Sequence, residues 1–437
     1  MPPTTSGSVT EPPNDRADAY AALREPNYRR FASGFVVSSA GLQMLGAAVG
    51  WELWERTGDP LQLGYAGLAR ALPVVVLALP AGHIIDRFDR KMVLALTQVA
   101  MGVVAAALCV ASALQAPIAL TYALLVLAGC ARVLNGPSRA TLLPAIVPDR
   151  VFGNAVTWNS GFFQLSAVIG PLVAGVLLAK FAAAWPVYLC TTITCLVFAG
   201  LALTLKPRPS QRLTGRFSLA SMSAGLGHVW REKSVLGAIT LDMFAVLLGG
   251  ATALLPIYAD EILHVGPMGY GALRAAPYIG AFAMAIVLAH RPVFRIAGPA
   301  LLWSVAGFGA CMIVFGISTN FALSLLVLLL AGAFDNVSVV IRHALVQLRT
   351  PDELRGRVSA VNSVFIECSN ELGAFESGVV AKYFGPVFSV VSGGMGTLVV
   401  VALVALWLAP LRKLDLGDMR TPEEDEDDLR GKSPAAS

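Results

Sequence analysis

The feature that most constrains this chain is a series of apolar stretches, each long enough to cross a bilayer. A helix needs about 20 apolar residues to span the hydrocarbon core. Such stretches fall near Phe31–Trp54, Leu63–Ile85, Met92–Leu114, Ile118–Gly136, Asn154–Leu178 and Val187–Leu205. A polar stretch, Lys206 to Lys233, interrupts the series, and six more follow: Val235–Tyr258, Tyr270–Ala289, Ala297–Ser318, Ala322–Ile341, Val358–Ala381 and Phe388–Leu408. The expected fold is therefore all-α and integral to a membrane, with twelve transmembrane helices in two six-helix halves. The expected division is an N-terminal segment 1–30, a first bundle 31–205, a linker 206–234, a second bundle 235–408 and an acidic tail 409–437. Composition agrees: 14% of the residues are charged, against about 25% in soluble domains.

Lys and Arg orient the spans, because positive loops stay on the cytoplasmic side. Only Arg56, Lys180 and Lys382 fall in the odd-numbered loops, while Arg70, Arg132 and Arg274 lie inside stretches. The rest occupy the N-terminal segment, the even-numbered loops and the tail, so both termini are expected in the cytoplasm of a bacterial inner membrane. Met1–Arg16 has no apolar core with a cleavage site, and no secretory signal is expected. The acidic run Glu423–Asp428 reads as a solvated end. The six cysteines lie in apolar stretches without metal-ligand spacing and are expected to behave as small hydrophobes, with no metal bound.

The halves repeat. Gly67-Leu-Ala-Arg70-Ala-Leu-Pro73 returns as Gly271-Ala-Leu-Arg274-Ala-Ala-Pro277, at an offset of 204. Arg139, Pro148, Gly153, Asn159, Phe162, Gly170 and Gly175 return at an offset of 203 as Arg342, Pro351, Gly356, Asn362, Phe365, Gly373 and Gly378. Parallel duplication across a linker describes a transporter whose site lies between halves.

The segment Gly82-His-Ile-Ile-Asp86-Arg87-Phe-Asp-Arg90-Lys91 resembles the signature loop of the major facilitator superfamily, G-x-x-x-D-R-x-G-R-R/K. Asp89 stands where that family usually has glycine, which implies a tighter or more strained turn. Arg132-Val-Leu-Asn-Gly136 resembles the R-x-x-Q-G motif. Gly161 with Gly170-Pro171-Leu-Val-Ala-Gly175 resembles the antiporter motif. Asn27-Tyr-Arg-Arg-Phe, Arg70-Ala-Leu-Pro73, the Arg355–Phe365 segment and Ser369-Asn-Glu371-Leu-Gly are similar to the enterobactin-exporter-like branch, also called transmembrane secretion effectors. The resemblance implies secondary active export of a small molecule, siderophore or lipophilic drug-like, by alternating access. It implies a conformational gate built on Gly82, Asp86, Arg87, Arg90 and Lys91, and a seal at Gly170 and Pro171. Uptake, uniport and a non-transporting sensor remain the alternatives.

Charges inside spans are costly unless paired or wetted, at about 2.5 kcal/mol or more each. Arg132 and its offset counterpart Asp335, with Asp242, are expected to form a switchable set facing the cavity, or else a static pair. Glu367 and Glu371 share a helix face at i, i+4. Desolvation and like charge oppose ionisation of such a pair, so one of them is the expected proton-coupling site. Alternatively Glu371 or Glu376 pairs with Arg70 as a latch at the outer interface. Arg70 and Arg274 are near enough to the outer surface to snorkel. Trp51 and Trp54 read as interfacial anchors, and Trp158, Phe162 and Phe365 as pocket-lining aromatics. No G-x-x-x-x-G-K-[ST] or H-E-x-x-H occurs, which disfavours ATP-driven transport and metalloenzyme chemistry. No cofactor is expected, a proton gradient being the energy source. The expected partners are a small-molecule substrate and the lipid bilayer; no nucleic acid is expected, and a monomer suffices.

Overall fold

The computed structural model describes residues 18–208, 226–227, 229–249, 251–290, 297–407 and 409–412; side chains at 78–87, 251, 352, 353, 360, 409 and 410 lie outside the described set. The twelve long helices are α1 (Pro26–Thr57), α2 (Pro60–Arg87), α3 (Arg90–Ala113), α4 (Ile118–Ile146), α5 (Asp149–Phe181), α6 (Trp185–Leu203), α7 (Lys233–Leu248), α8 (Gly266–His290), α9 (Ala297–Ile317), α10 (Phe321–Arg349), α11 (Asp352–Phe384) and α12 (Pro386–Trp407). No strand occurs among the described residues.

Among the described residues, eleven helical segments are long and apolar enough to cross a membrane, the one that begins with α7 running on to Ile262. The remaining one, α11, has 33 residues but carries Glu367, Glu371 and Glu376. Such carboxylates survive in a bilayer only where protein or water surrounds them, which places this helix inside the bundle. Several helices outrun the apolar stretches that announce them. At about 1.5 Å per residue, α1, α5 and α11 exceed the roughly 30 Å hydrocarbon core, so their ends project beyond it. After Leu248, α7 breaks, and the chain resumes as a 3-10 turn (Ala251–Leu254), a short α turn and a π turn (Tyr258–Ile262).

Within each half the packing repeats. Gly129 on α4 meets Pro73 of α2, where an added Cβ would lie 2.8 Å from Pro73 Cγ. Gly332 on α10 meets Pro277 of α8 in the equivalent contact. Small residues allow this approach, and close packing replaces hydrophobic drive inside lipid.

The halves join along two seams, α2 with α11 and α5 with α8. At the end of the bundle opposite the linker, one apolar cluster unites both halves, from Trp51, Trp54 and Tyr188 to Tyr258, Tyr270 and Phe315. At the linker end the core splits. Tyr28, Phe31, Leu142, Ile146 and Phe198 form one cluster in the first half. Val235, Leu301, Ile341 and Leu345 belong to another in the second. One shared core at the far end and two separate cores at the linker end describe a cleft that is closed far from the linker and open towards it.

Candidate functional site

Both seams rest on glycine. A Cβ at Gly175 of α5 would come within 2.7 Å of Pro267 O and 3.1 Å of Gly271 Cα on α8. At Gly378 of α11 it would come within 2.9 Å of Gly64 Cα and Pro60 O on α2. Gly175 and Gly378 are repeat equivalents and each packs on the opposite half, but their partners sit about one helical turn out of register: Gly271 corresponds to Gly67, whereas Gly378 meets Gly64. Gly170 serves a different contact: its Cβ position is 2.7 Å from Ala40 O and Gln43 Cβ, which binds α5 to α1 within the first half. Pro171 reaches across, its carbonyl lying over Gly271. Gly136, Gly153, Gly161 and Gly356, nearer the linker end, have nothing within 4 Å of an added Cβ.

Polar contacts reinforce the closed end. Trp54 Nε1 donates to Asp260 Oδ2 at 2.9 Å, Tyr270 Oη donates to Ala47 O at 3.2 Å, and Lys382 pairs with Asp59 at 3.2 Å. Trp51 stacks near Tyr270, with ring centroids 5.6 Å apart. Trp51 and Trp54 are 6% and 5% exposed. They join the two halves, which corrects their reading as anchors in the lipid interface. Sequence alone does not separate the two roles, since both place tryptophan at a helix end.

A charge network lies roughly midway along the cleft. Arg132 Nη2 on α4 donates to Glu367 Oε2 on α11 at 2.8 Å, and its Nη1 is 3.5 Å from Glu371 Oε1. Arg70 Nε on α2 approaches Glu371 Oε2 at 3.2 Å, an ion pair without hydrogen-bond alignment. Two guanidinium groups of the first half thus balance two carboxylates of the second. The Arg132 and Glu367 side chains are 49% and 39% exposed, although they join the halves inside the bundle. Solvent therefore reaches them through the open end.

This arrangement corrects two expectations. Arg132 does not gather with Asp335 and Asp242; in this conformation it reaches α11. Asp242 instead forms a buried ion pair with Arg342 of its own half. Of the two carboxylates expected as partners of Arg70, Glu371 is the one that meets it; five residues turn Glu376 away from that face, and its carboxylate accepts from Ser377 Oγ at 3.4 Å. Arg274 does not snorkel to the surface. Its Nη1 lies 3.3 Å from Tyr270 Oη, and the end of the side chain abuts Gly46 of α1.

The signature segment is mostly helical, with only Phe88 and Asp89 between α2 and α3. Asp89 has φ −62° and ψ 118°, and its carboxylate accepts from Lys91 N as the cap of α3. Aspartate is a favoured N-cap, so the replacement of glycine brings no strained turn. Lys91 Nζ reaches the carbonyls of Leu203 and Leu205 at 3.4 and 3.3 Å, capping the negative end of α6. Arg90 Nη1 donates to Thr141 O at 3.3 Å. Gly82, Asp86 and Arg87 fall within 78–87, where side chains lie outside the described residues.

Trp158 Nε1 donates to Ala19 O at 2.8 Å, and its ring packs between Tyr20 and Phe162 at 5.7 and 5.3 Å. Trp158 holds the N-terminal segment against α5, and both Trp158 and Phe162 pack, partly buried, on the first-half cluster. Phe365 is partly buried on α11, below Glu367. The six cysteines are free.

Sequence reasoning passed over Arg139 and Arg342 as loop cations, because α4 and α10 run on past the apolar stretches. Arg139 lies over the Phe35 ring at 4.8 Å. It also passed over Glu52, buried at 7%, which accepts from Tyr188 Oη at 2.7 Å and pairs with Arg56 at 3.4 Å. The i, i+4 spacing of Glu52 and Arg56 was the available signal.

The transmembrane secretion effector family model matches residues 17–429. The chain is similar to the Enterobactin exporter EntS of Shigella boydii serotype 18, 27% identical over 398 residues, with 89% of this chain and 93% of that protein covered. The Enterobactin exporter EntS of Escherichia coli O81 matches at the same identity and coverage. Among solved structures, a bacterial homolog of the human lysosomal transporter Spinster, inward-facing and unoccupied, superposes with a TM-score of 0.70 at 12% identity, covering 91% of this chain and 99% of that one. The nucleoside transporter NupG gives 0.68 at 11% identity, covering 87% and 98%. The structural likenesses show the fold; the family match extends over nearly the whole chain. The protein belongs to the transmembrane secretion effector family and is a multi-pass membrane transporter of the major facilitator type.

Proposed function

We propose that this protein is a proton-coupled exporter of a small molecule, working by alternating access in a bacterial inner membrane with both termini in the cytoplasm. The observation that supports this best is the charge network Arg70–Glu371–Arg132–Glu367. It joins the halves, is reached by solvent from the linker end, and lies behind two glycine seams. A transporter needs contacts that hold one face closed and can be exchanged when the other closes. Protonation of Glu367 or Glu371 would remove one of the two partners of Arg132 and loosen the link between α4 and α11. Asp86 and Arg87, by their likeness to the family's loop, serve the opposite gate.

The curated relatives are exporters of enterobactin, so cargo of that kind is the first to test, with macrolides and other lipophilic drugs as comparison. The open linker end then faces the cytoplasm, where an exporter loads.

The test is proton release from everted vesicles that contain the purified protein, followed by a dye reporting internal pH. Cargo-dependent alkalinisation that Glu367→Gln and Glu371→Gln reduce at least ten-fold is expected. Cargo movement without any pH change would replace proton coupling by uniport. Folded protein that moves no cargo in either direction would argue for sensing instead.

A further inference from the structure

The second half contains a pocket that the charge network does not use. On α10, Asp335, Ser338 and Arg342 follow at i, i+3 and i+7, a spacing that keeps them on one helix face. Asp335 and Ser338 line a pocket with Asp242 and Ala245 of α7 and Val305 and Phe308 of α9. Arg342 is already taken: it pairs with Asp242, with the two side chains only 3% and 7% exposed. Asp335 has no ion pair or hydrogen bond among the described residues. Ser338 is 2% exposed, and its Oγ lacks a hydrogen-bond partner. A buried hydroxyl rarely stays unsatisfied in a folded protein. Here it adjoins a carboxylate that also lacks a partner.

The charges decide what fits. Two carboxylates and one guanidinium leave a single negative charge inside a span, where uncompensated charge is costly. One positive charge restores neutrality; a divalent ion would overshoot. We infer that this pocket is a cation site, in which Asp335 and Ser338 hold one small monovalent cation, either a proton on the carboxylate or a sodium ion beside it.

The surrounding charges are few. Helix α9 carries none between Ala297 and Ile317. Helix α8 contributes Tyr270, Arg274, Tyr278 and His290, of which Arg274 is bonded to Tyr270. Helix α7 contributes Asp242 and, at its start, Lys233. On α11, Glu367 and Glu371 are matched by Arg132 and Arg70. On α10 itself the others are Arg342, His343 and Arg349.

As a coupling site the pocket rests on the exporter reading, but its occupancy is measurable without transport. Full-length protein in nanodiscs would be compared as wild type, Asp335→Asn and Ser338→Ala, with thermal unfolding as the check on folding. One arm measures radioactive sodium binding with potassium as the competing salt. The other records pH-difference infrared spectra in the carboxyl C=O region. Saturable sodium binding that Asp335→Asn weakens at least ten-fold supports sodium. A pH-dependent carboxyl band that Asp335→Asn removes, without sodium binding, supports the proton. Should Asp335→Asn fail to fold, Ser338→Ala still reads the site: a three- to ten-fold loss of sodium affinity or a shifted band midpoint supports it. Folded wild type with neither signal, or a signal that persists in Asp335→Asn, overturns the inference. Vesicles that move no cargo while the pocket signal stands would sink the exporter reading alone.

Discussion

The two halves share a packing plan and differ in charge. Gly129 with Pro73 answers Gly332 with Pro277, and the equivalent glycines Gly175 and Gly378 each pack on a glycine of the other half, Gly271 and Gly64. At the same repeat offset, Arg132 answers Asp335, while Arg139 answers Arg342. Asp242, the partner of Arg342, answers Ser39. The first half therefore presents cations to the cleft and depends on the second for its carboxylates. The second half neutralises Arg342 internally. Duplication preserved what lets helices approach, and charge diverged where the halves had to recognise each other.

The largest effect on export should come from breaking the shared plan. Gly175→Val places methyl groups where Pro267 O and the Gly271 backbone already lie, and Gly378→Val does the same against Gly64 and Pro60. Backbone cannot yield as a side-chain tip can, and overpacking typically costs about 1–3 kcal/mol. Both variants should lose export at least ten-fold in vesicles. Gly161→Val, with open space around it, should stay within about two-fold of the wild type. Unequal losses at Gly175 and Gly378 would break the idea of equivalent seams.

Next come the cations on which the halves differ. Arg342→Ala leaves Asp242 buried and unpaired, a loss of about 3–5 kcal/mol for pairs of this kind. Arg132→Ala removes a guanidinium that is half exposed and leaves Arg70 beside Glu371. Solvent screening limits that loss to about 1 kcal/mol. Thermal unfolding in detergent should thus rank Arg342→Ala well below Arg132→Ala, while export ranks Arg132→Ala as severely impaired. Equal unfolding temperatures would remove the distinction between a self-contained pair and one made between halves.

The spans, the duplication and the charges within the apolar stretches were legible in the sequence, because each follows from hydropathy or a fixed offset; Glu52 and Arg342, near or beyond the edges of those stretches, were not. Nor was pairing. Arg132 and Asp335 hold equivalent positions, yet equivalence about a twofold axis does not bring side chains together; helix rotation and tilt decide that, and they turn Arg132 towards Glu367. Trp54 shows the same limit: its place at a helix end is visible in the sequence, and its hydrogen bond to Asp260 is not. Asp89 shows the reverse. A departure from the family pattern looked like strain and proved to be a helix cap.

The closed end sharpens the comparison further, since there both halves contribute one partner each. Trp54→Phe keeps an aromatic ring, though a smaller one, and deletes the donor to Asp260, a loss of about 1.5–3 kcal/mol for a hydrogen bond to a charged group. Much of that loss should fall on the closed conformation, because the bond crosses between halves. A cysteine replacing Gln62, partly buried near the start of α2 at this end, in a background lacking the six native cysteines, should then react several-fold faster with a membrane-impermeant thiol reagent. An unchanged rate would mean that the shared apolar core alone keeps this end shut.

The smallest effect belongs to Asp59 and Lys382. Burial nudges the Asp59 carboxyl upward, but the Leu61 N–H and the Lys382 ammonium outweigh it and hold the carboxyl below its ordinary value. A carboxylate whose pKa is lowered on folding contributes stability above its unfolded pKa, near 3.9. That contribution is lost as pH falls through the lower folded value. The latch is therefore complete from about pH 5 upward and weakens only in stronger acid. With side-chain exposures of 23% for Asp59 and 44% for Lys382, the pair contributes at most about 1 kcal/mol, and salt screens it. Lys382→Ala should lower the unfolding temperature slightly at pH 7 and low salt, and by less at high salt or below about pH 4. A loss as large as that of Arg342→Ala would mean that the closed end depends on charge as much as the second half does. The contrast would then lie between the two ends of the molecule rather than between its halves.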